Sequence, residues 1–123
     1  MRLVKEIYKF NDIYPHKLAE VTKVEFHGQL GSSNSFKQTV MTDKRLISQF
    51  FNDLNQFTFK KHPNQNPRTG TDCILNIYEN NKLIMNCGFI SNQADFGDPV
   101  HGGIYYIVTS GNINELLKKY TDQ

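Results

Sequence analysis

The fold turns on the stretch DCILNIYENNKLIMNCGFIS, Asp72 to Ser91. Cys73, Leu75 and Ile77 alternate with Ile74, Asn76 and Tyr78. Glu79-Asn80-Asn81-Lys82 breaks the run, and Leu83, Met85, Cys87 and Phe89 resume it. Successive side chains of a strand point to opposite faces, so a period of two on both sides of a break is the pattern of a β-hairpin. Asparagine tolerates the positive φ of a tight turn, which explains why the break is Asn-rich. Two registers keep the apolar face together, and patterning does not choose between them. In one, Cys73 faces Cys87 directly, and a disulfide there would add about 3 kcal/mol in the chain-entropy picture. In the other, Cys87 faces Leu75 and Cys73 faces Phe89. The plainer reading is two buried thiols acting as small hydrophobes. Two thiols without a neighbouring ligand pair fall short of a zinc site.

Upstream of the hairpin, Val21 to His27 reads as a strand, with Thr22, Val24 and Phe26 on its apolar side. Gly28 to Ser35 is a turn rich in Gly, Ser and Asn, and Phe36 to Met41 returns as an antiparallel strand. Thr42 or Asp43 can cap the next element by accepting orphan backbone N–H bonds. Leu46, Ile47, Phe50, Phe51 and Leu54 then recur at helical intervals, predicting an amphipathic helix from Asp43 to Asn55. Phe57 and Phe59 open a further strand that ends in Lys60-Lys61, and His62 to Thr71, with two prolines and a glycine, is a loop. Residues Arg2 to Phe10 space their apolar side chains as one helical face or a short strand, until Tyr14-Pro15 interrupts them.

Downstream, Asn92 to Gly103 is expected to be a second loop, because it contains Gly97, Pro99, Gly102 and Gly103. Ile104 to Thr109 is apolar on both sides, as an inner strand should be. Asn112, with Glu115 three residues on, has the spacing of a capping box for a closing helix that turns Leu116, Leu117 and Tyr120 inward. These pieces predict one α+β domain over residues 1–123: a mostly antiparallel sheet of five or six strands with two helices packed on one face. The expected inward set is Val24, Phe26, Val40, Phe57, Phe59, Leu75, Ile77, Met85, Phe89, Tyr106 and Val108.

Composition bounds the function. The chain has 123 residues, enough to bury a core without a metal or a disulfide framework. Fourteen basic against twelve acidic residues leave a net charge of +2, too small and scattered to imply nucleic acid or an anionic membrane. No apolar run approaches the ~18–20 residues of a membrane span. Lys5, Lys9 and Asp12 interrupt every N-terminal apolar cluster, so no signal peptide is expected. The expected location is therefore the cytoplasm, with an extracytoplasmic protein whose secretion signal has been removed as the alternative.

Thr42-Asp43-Lys44 with Ile47, Asp53-Leu54-Asn55 with Phe57, Ile104 to Val108, and Leu116 to Tyr120 follow one another in an order that resembles small, poorly characterised domains of Firmicute secreted proteins and lipoproteins. The resemblance covers about the last hundred residues and is a pattern of core and cap. It implies an α+β fold and an extracytoplasmic setting, and it transfers no catalytic residue. The lipoprotein signal and anchoring cysteine of those proteins have no counterpart here.

No nucleophile elbow, phosphate loop or helical metalloprotease motif is present, no cofactor is implied, and no enzymatic activity is expected. Asp95, Asp98 and His101 form the densest group of reactive types, capable of ligating a metal or pairing as base and orienter. Their spacing matches no ligand motif, and the same residue types fill ordinary turns. Lys60, Lys61, His62 and Arg68 make the strongest basic group, but no aromatic stacking set is interleaved with it, so a lysine-protected sheet edge is the plainer account.

The functional expectation lies on the far side of the hairpin. If Leu75, Ile77 and Met85 face the helices, then Ile74, Tyr78 and Ile84 face away, as do Tyr105 and Ile107 on the last strand, beside Lys60 at the rim. A sheet face with helices on one side only should be polar outside. An apolar patch with tyrosines and a polar rim is instead what a protein-binding surface presents. The expected partner-binding residues are thus Tyr78, Tyr105, Ile74, Ile84, Ile107 and Lys60. They would serve a protein-binding module such as an inhibitor, immunity protein or accessory factor of a bacterium or phage. The alternatives are a homodimer through this face, a cover formed by Leu3, Ile7 and Tyr8, or a small-molecule sensor with a pocket under the Asn92–Gly103 loop.

Overall fold

The computed structural model describes residues 6–28, 38–66, 72–98 and 102–121. It is an α+β structure with a seven-stranded, wholly antiparallel sheet and three α-helices. The strands are β1 (Lys23–Gly28), β2 (Thr39–Met41), β3 (Phe59–Lys61), β4 (Cys73–Glu79), β5 (Lys82–Ile90), β6 (Gln93–Asp98) and β7 (Gly102–Val108). The helices are α1 (Phe10–Ile13), α2 (Lys44–Leu54) and α3 (Ile113–Thr121). The sheet order is β2-β1-β4-β5-β6-β7-β3, so four consecutive strands form a central meander.

The hairpin of β4 and β5 turns through Asn80 and Asn81, with φ of 49° and 70°. Two successive left-handed residues are what a two-residue turn matching the strand twist requires. Of the two registers, the strands adopt the one that pairs Cys73 with Phe89 and Leu75 with Cys87. Both thiols are free and buried. The register then slips: Ile77 pairs with Met85 but Tyr78 with Leu83, leaving Ile84 as the extra residue of a β-bulge.

Seven strands replace the expected five or six because Gln93–Asp98, within the expected loop, is a strand. Ser91, at φ 51°, turns the chain after β5, and Ile90 pairs with Gln93. Ala94 and Phe96 are buried, and Phe96 lies at the centre of the aromatic core, with ring centroids 5.4 Å from Phe10, 5.2 Å from Phe59 and 5.7 Å from Phe89. The expected strand from Phe36 is seen as β2 alone, since residues 36 and 37 and most of the Gly28–Ser35 turn lie outside the described residues.

At the N-terminus the described residues form neither a long helix nor a full strand. Tyr8 exchanges both backbone hydrogen bonds with Phe59, closing the free edge of β3, and a single turn of helix follows. Of the expected inward set, Val40 and Phe57 depart. Val40 pairs with Glu25 and is 52% exposed, and its place in the core goes to Met41. Phe57 lies in the connection after α2, only partly buried against the core.

Both main helices start where the sequence placed them. Asp43 Oδ1 accepts from the backbone of Arg45 (2.8 Å) and Leu46 (3.2 Å), and Asn112 Oδ1 from Asn114 (3.0 Å) and Glu115 (3.3 Å). Their buried faces, Ile47, Phe50, Phe51 and Leu54 on α2 and Leu116, Leu117 and Tyr120 on α3, cover the same side of the sheet as Phe10 of α1. Asp53 ties the two helices, accepting from Tyr120 Oη and from Lys119 Nζ at 3.0 Å.

Candidate functional site

With the helices gathered on one face, the other face is built from the alternate residues of β1 and β4 to β7. Cross-strand pairing arranges it in rows. One row runs His27, Ile74, Gly88, Asp95 and Tyr105; the next runs Ile90, Gln93, Ile107 and Lys60. Ile74, Tyr105 and Ile107 are half-buried, while Ile90 is 37% exposed and Lys60 is exposed. Among the described residues, no helix packs over these rows. The described part of the N-terminal segment does not cover them either: Tyr8 stacks edge-on against Tyr106 at 6.0 Å on the helical side and Ile7 is exposed, while Leu3 lies outside the described residues.

The structure therefore brings together four of the six expected partner-binding residues: Ile74, Tyr105, Ile107 and Lys60. It separates the other two. Ile84 is the bulged residue and packs against the core, so Leu83, not Ile84, shares the face of Tyr78. Tyr78 does lie on the outer face, but beyond a row in which Asn86 Nδ2 donates to Asn76 Oδ1 at 2.6 Å. There it belongs to a polar cluster. Its hydroxyl donates to Glu25 Oε1 at 2.8 Å, Lys23 Nζ lies 4.2 Å from its ring centre, and His27 is 3.7 Å from Glu25. The hydrogen bond from Tyr78 holds the Glu25 carboxyl below its ordinary pKa.

Three features of the face escaped the sequence reading. Ile90 belongs to it, a consequence of carrying the β5 alternation one residue past Phe89. Gln65, in the loop after β3, uses its side-chain amide as a substitute strand, donating to Tyr105 O and accepting from Tyr105 N, each at 2.9 Å. That pair, with His62 N donating to Tyr105 O at 2.8 Å, fixes β7 under the tyrosine. The third is the centre of the face, which is Asp95.

Asp95 is half-buried, and among the described residues nothing donates a hydrogen bond to it. Its neighbours on this face are Gly88 and Asn86 across β5, Gly103 and Tyr105 across β7, and Gln93 and Gly97 along its own strand. None is acidic or basic. The carboxylate lies so low over Gly103 that a Cβ there would be 2.0 Å from Asp95 Oδ1 and 2.6 Å from the Phe96 carbonyl oxygen. Loss of hydration by burial raises the Asp95 pKa above the ordinary carboxylate value. Gln93 Oε1, two residues along, is buried with no hydrogen-bond partner. Near the middle of the face the Asp95 carboxylate thus lies flat over the backbone of Gly103.

The other sequence candidates are not assembled. Asp95 and Asp98 belong to β6, not to a loop, and His101 lies outside the described residues. No group of three metal-ligating side chains occurs among the described residues. Lys60 and Lys61 are consecutive on β3 and so point to opposite sides of the sheet, with Lys61 Nζ 5.8 Å from the ring centre of Tyr8. Arg68 lies outside the described residues, so the basic group does not form one patch among them. His16 binds Glu79, which also accepts from Tyr14. Residues 93–98 of the expected loop are sheet, and a depression of about 340 Å³ is lined by Phe96, Gly97 and Ile104 among others. Another depression, about 520 Å³, lies between α2 and the Lys17–Val21 segment, lined by Ile47, Ser48 and Phe51 among others. Burial pushes the Cys73 thiol up to about 12 and the Cys87 thiol well above its ordinary value, so neither is poised as a nucleophile. No helix among the described residues is long and apolar enough to cross a membrane.

No protein-family model, curated protein or solved structure matches this chain.

Proposed function

We propose that this protein is a non-enzymatic binding module, of the inhibitor, immunity-protein or accessory-factor kind made by bacteria and phages, and that it engages a protein through the sheet face that no described helix covers. One observation carries the reading: Ile74, Ile90, Tyr105 and Ile107 stand together around a half-buried carboxylate on the side away from all three helices. A solvated sheet face would place polar side chains at those positions. Apolar side chains interleaved with tyrosine and rimmed by Lys60, Asn76 and Asn86 are the composition of an interface. The two unbridged thiols fit a reducing compartment, and we place the module in the cytoplasm.

A photoreactive residue placed at Ile107 should cross-link one defined protein in cells of the source organism. The same residue at Gln49, exposed on α2, should not. Equal yields from both positions would sink the reading. Cross-links only to a second copy of the chain would replace the partner by a homodimer.

A further inference from the structure

We propose that the depression between α1 and the inner face of β5–β7 binds a small carboxylate with an apolar body, held at its charged end by the Tyr106 hydroxyl and the Lys61 ammonium. This site lies on the helical side of the sheet, so it goes beyond the binding-module reading and does not rest on it.

The hollow exists because the helical layer is thin there. Its cover, α1, is a single turn, Phe10–Ile13. Ile104 pairs with Phe96 and stands two residues before Tyr106, so it points to the helical side, yet it is 44% exposed. The bulge in β5 turns Ile84 to the same side. With Ile13, Met85 and Phe96, these residues line the depression of about 340 Å³. An apolar hollow of that size with a few polar groups is the usual form of a small-ligand site.

Two of its polar groups select the ligand. Tyr106 is only 5% exposed, its ring packed 5.5 Å from Phe96 and 6.0 Å from Tyr8 between centres. A tyrosine so deeply placed ordinarily finds a partner for its hydroxyl. Among the described residues this hydroxyl has none, and its oxygen is not sealed from the depression that Tyr106 lines. Loss of hydration and the neighbouring Tyr8 raise its pKa, so it keeps its proton and donates. Lys61 pairs with Tyr106 across β3 and β7, which puts both side chains on this side of the sheet. It is exposed, and among the described residues no carboxylate pairs with it. A buried O–H donor beside a cation is complementary to a carboxylate, which accepts a charge-assisted hydrogen bond from each. Asp12, whose Oδ2 accepts from Lys9 N at 2.9 Å, lines the opposite rim and repels an anion there, which directs the charged end toward β3. The apolar body is left to Ile84, Phe96 and Ile104.

The test is an NMR titration with 3-phenylpropionate, compared with 3-phenylpropanamide and 3-phenylpropylamine, which keep the apolar body and change the end group. The acid should give saturable shifts at the amides of Phe96, Gly97, Ile104 and Tyr106 and at the Ile84 and Ile104 methyls. The amide should bind about tenfold more weakly and the amine more weakly still. Tyr106→Phe keeps the ring in the core and removes one oxygen; it should weaken the acid about tenfold. Lys61→Met, on an exposed strand end, should bring the acid down to the affinity of the amide. No saturable shift at about 10 mM acid, equal binding of acid and amine, or undiminished binding in both variants would overturn the proposal. Cross-linking from Ile107 reports on the other face, so either result stands without the other.

Discussion

A carboxylate surrounded by glycines on an apolar sheet surface has a stability consequence that can be given a sign. Asp95 is desolvated by burial and has no compensating donor among the described residues, so its pKa in the folded chain is raised above the unfolded value. Between those two pKa values the folded state binds the extra proton. Stability should therefore increase as pH falls through the folded pKa and decrease as it rises, the reverse of a salt-bridged aspartate. Among the described residues, no Lys, Arg, His, Asp or Glu pairs directly with it across the strands to change that sign. Replacing the charge by an amide removes the penalty, so Asp95→Asn should raise the melting temperature at pH 7. The difference from the parent protein should shrink steadily on acidification. Thermal unfolding of both proteins from pH 7 to pH 4 measures this, and an unchanged or lower melting temperature for Asp95→Asn at pH 7 contradicts it.

At the scale of elements, β6 carries the most weight and was the least visible. Phe96 packs at 5.2–5.7 Å between ring centres against Phe10, Phe59 and Phe89. Phe96→Ala should therefore cost ~3–5 kcal/mol, as deletion of a fully packed aromatic does. Urea unfolding decides the matter, since a loop phenylalanine would cost well under 1 kcal/mol. The sequence hides this strand because Gly97 stands within it, and Gly102 and Gly103 open the next strand. Those glycines read as loop punctuation, although at Gly103 the missing Cβ makes room for the Asp95 carboxylate. Only Ala94 and Phe96 supply the alternation, too short a run to outweigh them. The helices were legible for the opposite reason: their caps at Asp43 and Asn112 and their apolar spacing are local. The β4–β5 hairpin was legible as to turn and faces, but the bulge at Ile84 arises between strands and leaves no mark in one strand's period. That is why Ile84 was assigned to the wrong side, and why Val40, whose phase depends on its pairing with Glu25, was too.

For the molecule as a whole, the two tyrosines first assigned to one surface now separate two roles. Tyr105 stands in the row of Asp95, and its backbone, not its ring, is what Gln65 and His62 hold. Tyr78 lies beyond the Asn76–Asn86 row with its hydroxyl on Glu25 and Lys23 over its ring. Truncating Tyr105 removes contact area from the proposed interface and leaves the strand's hydrogen bonds in place. Truncating Tyr78 removes an internal hydrogen bond to a carboxylate and a cation–π contact, at a cost of roughly 1–2 kcal/mol. Tyr105→Ala should therefore weaken partner binding by tenfold or more, the loss expected of an interface anchor. Tyr78→Ala should lower the melting temperature while binding stays within about threefold, as for residues at the periphery. Calorimetry of each variant against the cross-linked partner, alongside thermal unfolding, compares the two effects directly. Unchanged binding in the Tyr105 variant would mean that this face does not account for the protein's action.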